Sequence, residues 1–255
     1  MKKKVTRRLI DLTKEGYDRI AEEFTGSRSY IWPVMKYLQK YVEQGSRILD
    51  VGCGNGRLFE LFKNGNYEYT GMDISPEIIR LAKKKWLKEG EVPDFVISDV
   101  TTEIPFRDHR FDVVFMIAVL NHIPSEKQRI RALKNIYRVL SPRGLLLMTN
   151  FNLWKFSTFQ KGLLKYTIKK IKIQDEEWER RFGFKKRDLG LRDVITEWKG
   201  GKKKAYLYYH AFSKLEMRCL AKKTHYRVLE NFYENNGKKV PVYEGKNLVT
   251  VFQKY

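Results

Sequence analysis

The ten residues LDVGCGNGRL, 49–58, constrain this chain more than any other stretch. A short apolar run ends at Asp50 and Val51, three glycines follow at alternate positions (Gly52, Gly54 and Gly56), and a helical pattern opens at Arg57. Glycine permits the tight turn such a junction needs and lets a ligand approach the backbone. A helix that starts directly after the loop would offer free N–H groups to a carboxylate or phosphate. The spacing is not the G-x-G-x-x-G of dinucleotide folds, and no lysine follows as in a phosphate-cradling loop.

The flanking pattern alternates. Residues 8–24 have apolar positions at helical spacing, and 32–43 form a second helix with Pro33 in its first turn, where its missing N–H costs nothing. Strands are predicted at 47–52, 67–73, 94–99, 110–120 and 145–151, and helices at 57–64, 76–90 and 125–140. Ser75 and Ser125 are the N-caps of the last two helices. Short, almost continuously apolar strands separated by helices imply a parallel sheet of βαβ units covered on both faces.

After residue 151 the pattern breaks. Residues 151–204 hold sixteen Lys or Arg against seven Asp or Glu, with aromatics interleaved. The alternation resumes with 205–212, a helix from Ser213 to about Lys223, and strands at 226–234 and 247–254 around the turn NNGKK, which suggests an antiparallel edge to the sheet. The expected organisation is one domain, 1–255: an N-terminal helical segment (1–44), a ligand-binding core (45–150), a basic insertion (151–204) and the C-terminal part of the sheet (205–255).

The net charge of +21 points to a polyanionic partner, nucleic acid before membrane. A lysine-rich or heat-adapted surface is the alternative, but the excess is clustered in the insertion and at Lys2–Lys4 and Arg7–Arg8. The longest apolar run, 113–120, is too short to span a bilayer, and the basic N-terminus lacks the apolar region of a secretory signal. Two cysteines without C-x-x-C spacing, Cys53 and Cys219, fit a reducing compartment and no zinc cluster. A cytoplasmic protein is expected.

The acid-led G-x-G-x-G loop resembles motif I of the class I S-adenosylmethionine (SAM) methyltransferases, and the likeness continues in order across residues 45–150. It implies an α/β, Rossmann-like fold: a seven-stranded, mostly parallel sheet with an antiparallel edge strand and helices on both faces. It also implies SAM as cofactor, with Asp50, Gly52, Cys53, Gly54 and Gly56 around its methionine part. Asp73 and Ile74 would lie at the ribose, Asp99 and Val100 at the adenine, and Ile117 at the end of the fourth strand.

The flanks suggest a substrate. GYDRIAEEFTGSRSYIWPVMKYL (16–38) resembles the N-terminal segment of the tRNA wobble-uridine carboxymethyl methyltransferases, a family that includes the methyltransferase domain of the animal AlkB-homologue tRNA hydroxylase. Tyr17, Asp18, Ile20, Ala21, Phe24, Thr25, Ser27, Arg28, Trp32 and Pro33 fit its pattern. IAVLNHI (117–123) fits except at Asn121, where the family has histidine, and LYYHAF (207–212) resembles a block before the last helix. The resemblance implies esterification of 5-carboxymethyluridine in the tRNA anticodon stem-loop, and a small zinc-binding activator protein as partner.

A carboxylate acceptor is ionised at neutral pH and needs no general base, only alignment. Arg28 is therefore expected to clamp that carboxylate or a neighbouring phosphate, with His122, Tyr209 and His210 (and Tyr208) contacting a flipped base. A surface role for Arg28 and structural roles for the histidines remain open. The insertion, with Trp154, Phe156, Phe159, Tyr166, Trp178, Phe182 and Phe184, is a candidate RNA surface or a helical hairpin covering the sheet. The competing functions are a small-molecule methyltransferase, of quinone or lipid type, and a non-catalytic RNA-binding subunit.

Overall fold

Alternate residues of the central strands enter two different cores. In β1 (Arg47–Val51), Leu49 and Val51 join one cluster and Ile48 the other; in β4 (Phe111–Ile117), Val114 and Met116 oppose Val113 and Phe115. Side chains in a strand point to opposite faces with period two, so both faces of this sheet are covered. The computed structural model describes residues 1–28, 30–154 and 173–255.

The remaining elements are α1 (Lys3–Ser27), α2 (Pro33–Gln39), β2 (Glu68–Asp73), α3 (Pro76–Lys88), β3 (Asp94–Ile97), α4 (Glu126–Val139) and β5 (Leu140–Phe151). They are followed by α5 (Asp175–Phe182), β6 (Asp193–Glu197), β7 (Tyr206–His210), α6 (Lys214–Lys223), β8 (Tyr226–Asn235), β9 (Lys238–Val240) and β10 (Asn247–Lys254). Among the described residues, eight strands form one sheet in the order β3-β2-β1-β4-β5-β10-β8-β9, with the first five parallel and β10 antiparallel to both neighbours. Helices α4 and α6 pack on one face; α2, α3 and the turn after the glycine loop pack on the other.

The α/β class is as expected, with three corrections. The sheet has eight strands, because the turn after β8 folds β9 back as a hairpin, and the antiparallel β10 lies inside the sheet. Residues 206–210 do not extend the main sheet; β7 pairs with β6 in a sheet of two. Residues 57–61 form a short 3-10 turn in place of a helix. The segment buries Leu58, Phe59 and Phe62 in one direction, which the tighter i, i+3 winding achieves.

A third core lies outside the sheet. Val5, Leu9 and Leu12 of α1 pack against Trp178, Phe182, Phe184, Leu189 and Tyr208. This packs the described part of the insertion against α1, whose Tyr17 and Phe24 line the cavity at the C-terminal ends of β1 and β2. Trp178, Phe182 and Phe184 are thus core residues, 2–5 % exposed, and unavailable to stack on RNA. Trp154 is half-buried with its indole nitrogen donating to the Phe212 carbonyl. Phe156, Phe159 and Tyr166 lie outside the described residues.

Candidate active site

A cavity opens above β1, β2 and β4, roofed by α1. On its floor, Gly52 and Gly54 take left-handed backbone angles (φ 66° and 58°). A Cβ on Gly52 would stand 2.4 Å from a Val119 methyl, and one on Gly54 would stand 3.3 Å from the Phe24 ring. Gly56 also has positive φ (71°), but its Cβ would strike Trp86 and Phe95. It shapes the turn from the core side and is not among the cavity-lining residues.

Two carboxylates face this floor. Asp50 accepts the Tyr69 hydroxyl at 2.8 Å, and burial pushes its pKa up to about 7. Asp73 accepts the N–H of Gly54 at 3.1 Å and of Ser75 at 3.0 Å, so it braces the glycine loop against the end of β2; burial raises its pKa as well. Asp99 lies at the same rim, its Oδ1 accepting both the N–H and the hydroxyl of Thr101. Cys53, Ile74, Val100 and Ile117 complete this half; burial raises the Cys53 thiol pKa, which leaves it an unreactive wall. A floor that any side chain on Gly52 would fill, flanked by carboxylates, fits a ligand carrying an ammonium and a ribose. The loop feeds only a five-residue turn, so the anticipated helix N-terminus contributes nothing.

The opposite half is aromatic. Tyr17, Phe24, Trp32, His122, Phe151, Trp198 and Tyr209 line it together with Arg28 and Arg57. The ring of His122 is 4.5 Å from Tyr209, Tyr209 is 5.9 Å from Phe151, and Phe151 is 6.2 Å from Trp32. His122 Nδ1 donates to the Tyr208 carbonyl at 2.8 Å, which leaves Nε2 to accept the Tyr17 hydroxyl at 3.0 Å. Burial lowers the His122 pKa to about 4, so the ring is neutral. Among the described residues Arg28 has no carboxylate partner; its guanidinium stands 5.2 Å from the Phe24 ring and 5.9 Å from Trp32. Arg57 stacks on Trp32 at 3.9 Å, and burial, together with the nearby Arg28, lowers its pKa to about 10.

Arg28, His122 and Tyr209 therefore meet in one cavity, as the sequence suggested. His210 does not. It is buried between Asp193 (2.6 Å) and Glu216 (2.8 Å), and Asp193 also accepts the Tyr208 hydroxyl. Alternation along β7 explains the split, since Tyr209 faces the cavity while Tyr208 and His210 face away. Asn121 is fully buried below the cavity and lines none of it. Asn55, Arg57, Phe151 and Trp198 belong to the site without being singled out by the sequence. Phe151 closes β5 at the ligand-binding end of the sheet, a position that signals a site; Trp198 carries no comparable signal.

Fold, glycine floor and paired carboxylates are those of the class I SAM-dependent methyltransferase fold. The family described as "Methyltransferase domain" matches residues 49–148, and solved SAM-dependent methyltransferases share the fold. The chain is similar to the tRNA (carboxymethyluridine(34)-5-O)-methyltransferase of Arabidopsis thaliana, 33 % identical over 64 % of this chain and 37 % of that one. It is 28 % identical to the Schizosaccharomyces pombe protein of the same name, over 86 % of this chain and 90 % of that one. The chain spans about a third or less of the first curated relatives it matches. A methyltransferase solved in complex with the Trm112 methyltransferase activator, from Haloferax volcanii, superposes with a TM-score of 0.61 over 95 % of this chain and 97 % of that one, at 16 % identity. Among the described residues no helix is long and apolar enough to cross a membrane, and no His, Cys, Asp and Glu cluster could hold a metal ion.

Proposed function

We propose that this methyltransferase esterifies the carboxylate of 5-carboxymethyluridine at the tRNA wobble position. The observation that carries the reading is Arg28, a guanidinium with no ion pair among the described residues, set in the aromatic half of the cavity across from the cofactor floor. SAM supplies a methyl group on a cationic sulfur; a carboxylate oxygen that takes it forms one C–O bond as the S–CH3 bond breaks, with no proton to move. The side chains here suit that chemistry, because His122 is neutral with Nε2 already engaged by Tyr17 and is not poised as a base. Arg28 would hold the carboxylate through its planar fork, and Tyr209, Phe151 and Trp32 would offer faces for a base taken out of its stack.

The cofactor roles follow the same reading. Asp50 would hold the methionine ammonium, Gly52, Cys53 and Gly54 would lie along the methionine chain, Asp73 and Ile74 would meet the ribose, and Asp99, Val100 and Ile117 would flank the adenine. An activator would find its place at β3, which has a neighbour on one side only among the described residues, beside the exposed side chains of Val92 (81 %) and Ile97 (54 %).

The test is incubation of the protein with labelled SAM and tRNA carrying carboxymethyluridine, with and without a Trm112-type activator, followed by nucleoside mass spectrometry. A new methyl ester that vanishes in Arg28→Ala supports the reading. Unlabelled tRNA under both conditions, with SAM still bound, returns the enzyme to small-molecule acceptors.

A further inference from the structure

The β6–β7 hairpin carries a loop that the assigned site leaves unused. Strand pairing ends at Glu197 and Tyr206, and Trp198 N–H closes the hairpin on the Ala205 carbonyl at 2.8 Å. The six residues between them read Lys-Gly-Gly-Lys-Lys-Lys, 199–204, and all six are exposed. Trp198 itself lines the acceptor half of the cavity with Phe24 and Arg28.

This loop is built in place. A Cβ on Gly200 would fall 2.2 Å from the Trp198 indole, so glycine is required for the ring to lie where it does. A Cβ on Gly201 would fall 2.2 Å from the Glu23 carboxylate. That carboxylate accepts the backbone N–H of Lys202 at 3.0 Å and of Lys203 at 3.2 Å, which ties the loop tip to α1 one residue before Phe24. Lys203 also reaches Glu22 at 3.5 Å. Among the described residues Lys199, Lys202 and Lys204 form no ion pair. The backbone is thus fixed by glycines and Glu23, while three exposed lysines follow the cavity-lining Trp198 without a carboxylate partner among the described residues. Like charges crowded on one turn repel, so an arrangement of this kind serves an anion that lies across it.

We propose that Lys199, Lys202 and Lys204 grip the phosphodiester backbone of the substrate RNA, holding the strand beside the cavity mouth while the acceptor nucleotide enters past Trp198. The proposal rests on the tRNA reading above. Lysines at backbone phosphates position a nucleic acid without reading its sequence, and each phosphate neutralised steepens the salt dependence of binding.

The test compares three full-length proteins by fluorescence anisotropy with labelled tRNA between 50 and 200 mM salt: wild type, the triple variant Lys199→Ala/Lys202→Ala/Lys204→Ala, and a control of equal charge loss on α4, Lys127→Ala/Arg131→Ala/Lys134→Ala. The loop lysines support no packing, so SAM affinity measured alongside reports intact folding. The expected result is at least a tenfold loss of tRNA affinity for the loop triple at 50 mM salt. Its log–log salt slope should be shallower by about 2 to 3, at about 0.7–0.9 for each of three phosphates no longer neutralised. The α4 control should stay within about twofold of wild type. Equal affinity of loop triple and wild type, or equal losses in the two triples, overturns the proposal while the tRNA reading stands. A wild-type protein that binds SAM but no tRNA removes both.

Discussion

The side-chain amide of Asn55 donates to the Arg28 carbonyl at 3.1 Å and to the Thr25 carbonyl at 3.2 Å, so the glycine loop holds the end of α1 directly. Asn55 is itself fixed, since its Oδ1 accepts the Arg57 N–H and its carbonyl accepts the Trp86 indole. The residue proposed to clamp the acceptor is thereby registered to the loop proposed to hold the methyl donor.

Asn55→Ala should separate these two halves. It frees the Thr25 and Arg28 carbonyls, and the end of α1 with them. The acceptor KM is expected to rise about tenfold at saturating SAM, with a smaller change in kcat, since orientation errors near 1 Å have effects of this order or larger. In an Arg28→Ala background Asn55→Ala should add little, because coupled residues are non-additive. Fully additive effects in the double-mutant cycle would sink the idea that Asn55 acts through Arg28.

Arg28→Lys is predicted to behave almost as badly as Arg28→Ala. The guanidinium offers a planar two-pronged fork that a single ammonium does not reproduce. Its place between the Phe24 and Trp32 rings also suits a flat cation. Acceptor kcat/KM should fall about 100-fold or more, equivalent to roughly 2.7 kcal/mol of transition-state stabilisation, while the SAM Kd moves less than about twofold. Recovery of most activity by lysine would show that charge alone is used there.

The buried Asp193–His210–Glu216 chain gives a pH dependence that separates its structural role from catalysis. Burial by itself lowers the His210 pKa, but the hydrogen bonds to Asp193 and Glu216 outweigh it and leave the value raised. A histidine whose folded pKa exceeds its unfolded one, near 6.5, contributes stability that is complete below that pH and lost as pH rises through the folded value. Wild type should therefore exceed His210→Gln in thermal stability by more at pH 6 than at pH 8.5. A change of about 2 °C or more in that gap is what roughly 1 kcal/mol produces in a domain of this size. The kcat at saturating substrates should be close to wild type. A gap that does not change with pH argues against a charged His210.

The parts legible in the sequence are those fixed within a few residues of a strand end. Gly52, Gly54, Asp73 and Asp99 sit at the turns that follow β1, β2 and β3, so their spacing alone puts them on one rim. The aromatic wall is assembled from α1, β5 and the β6–β7 hairpin, far apart in the chain, and Trp198 reaches it only through a turn whose geometry has no local signature. The insertion is opaque for a related reason. Trp178 and Phe182 stand four apart, a helical pair with its own apolar face, yet the surrounding charge masks that pair and points to the exposed side. His210 follows Tyr209 directly in sequence, which suggests a shared role, although neighbours in a strand face opposite ways.

Asp50 supplies the last prediction, a pH dependence of cofactor affinity. With its pKa near 7, against about 4 for a free aspartate, much of the free protein carries a neutral carboxyl there below pH 7. With the cofactor's ammonium placed at Asp50 as proposed, the bound state favours the carboxylate, so binding must first ionise it. SAM affinity should therefore rise by up to about tenfold per unit as pH increases toward 7, then level off. The same raised value makes Asp50 a group that contributes stability at low pH and loses it between about pH 4 and 7, so ligand-free protein should not gain stability from this residue over that window. Titration calorimetry with SAM between pH 5.5 and 8.5 checks the slope. Asp50→Asn keeps an acceptor for Tyr69 but cannot ionise, and it should bind more weakly with a flattened profile. An unchanged slope in that variant would move the titrating group elsewhere, to Asp73, whose pKa burial also raises.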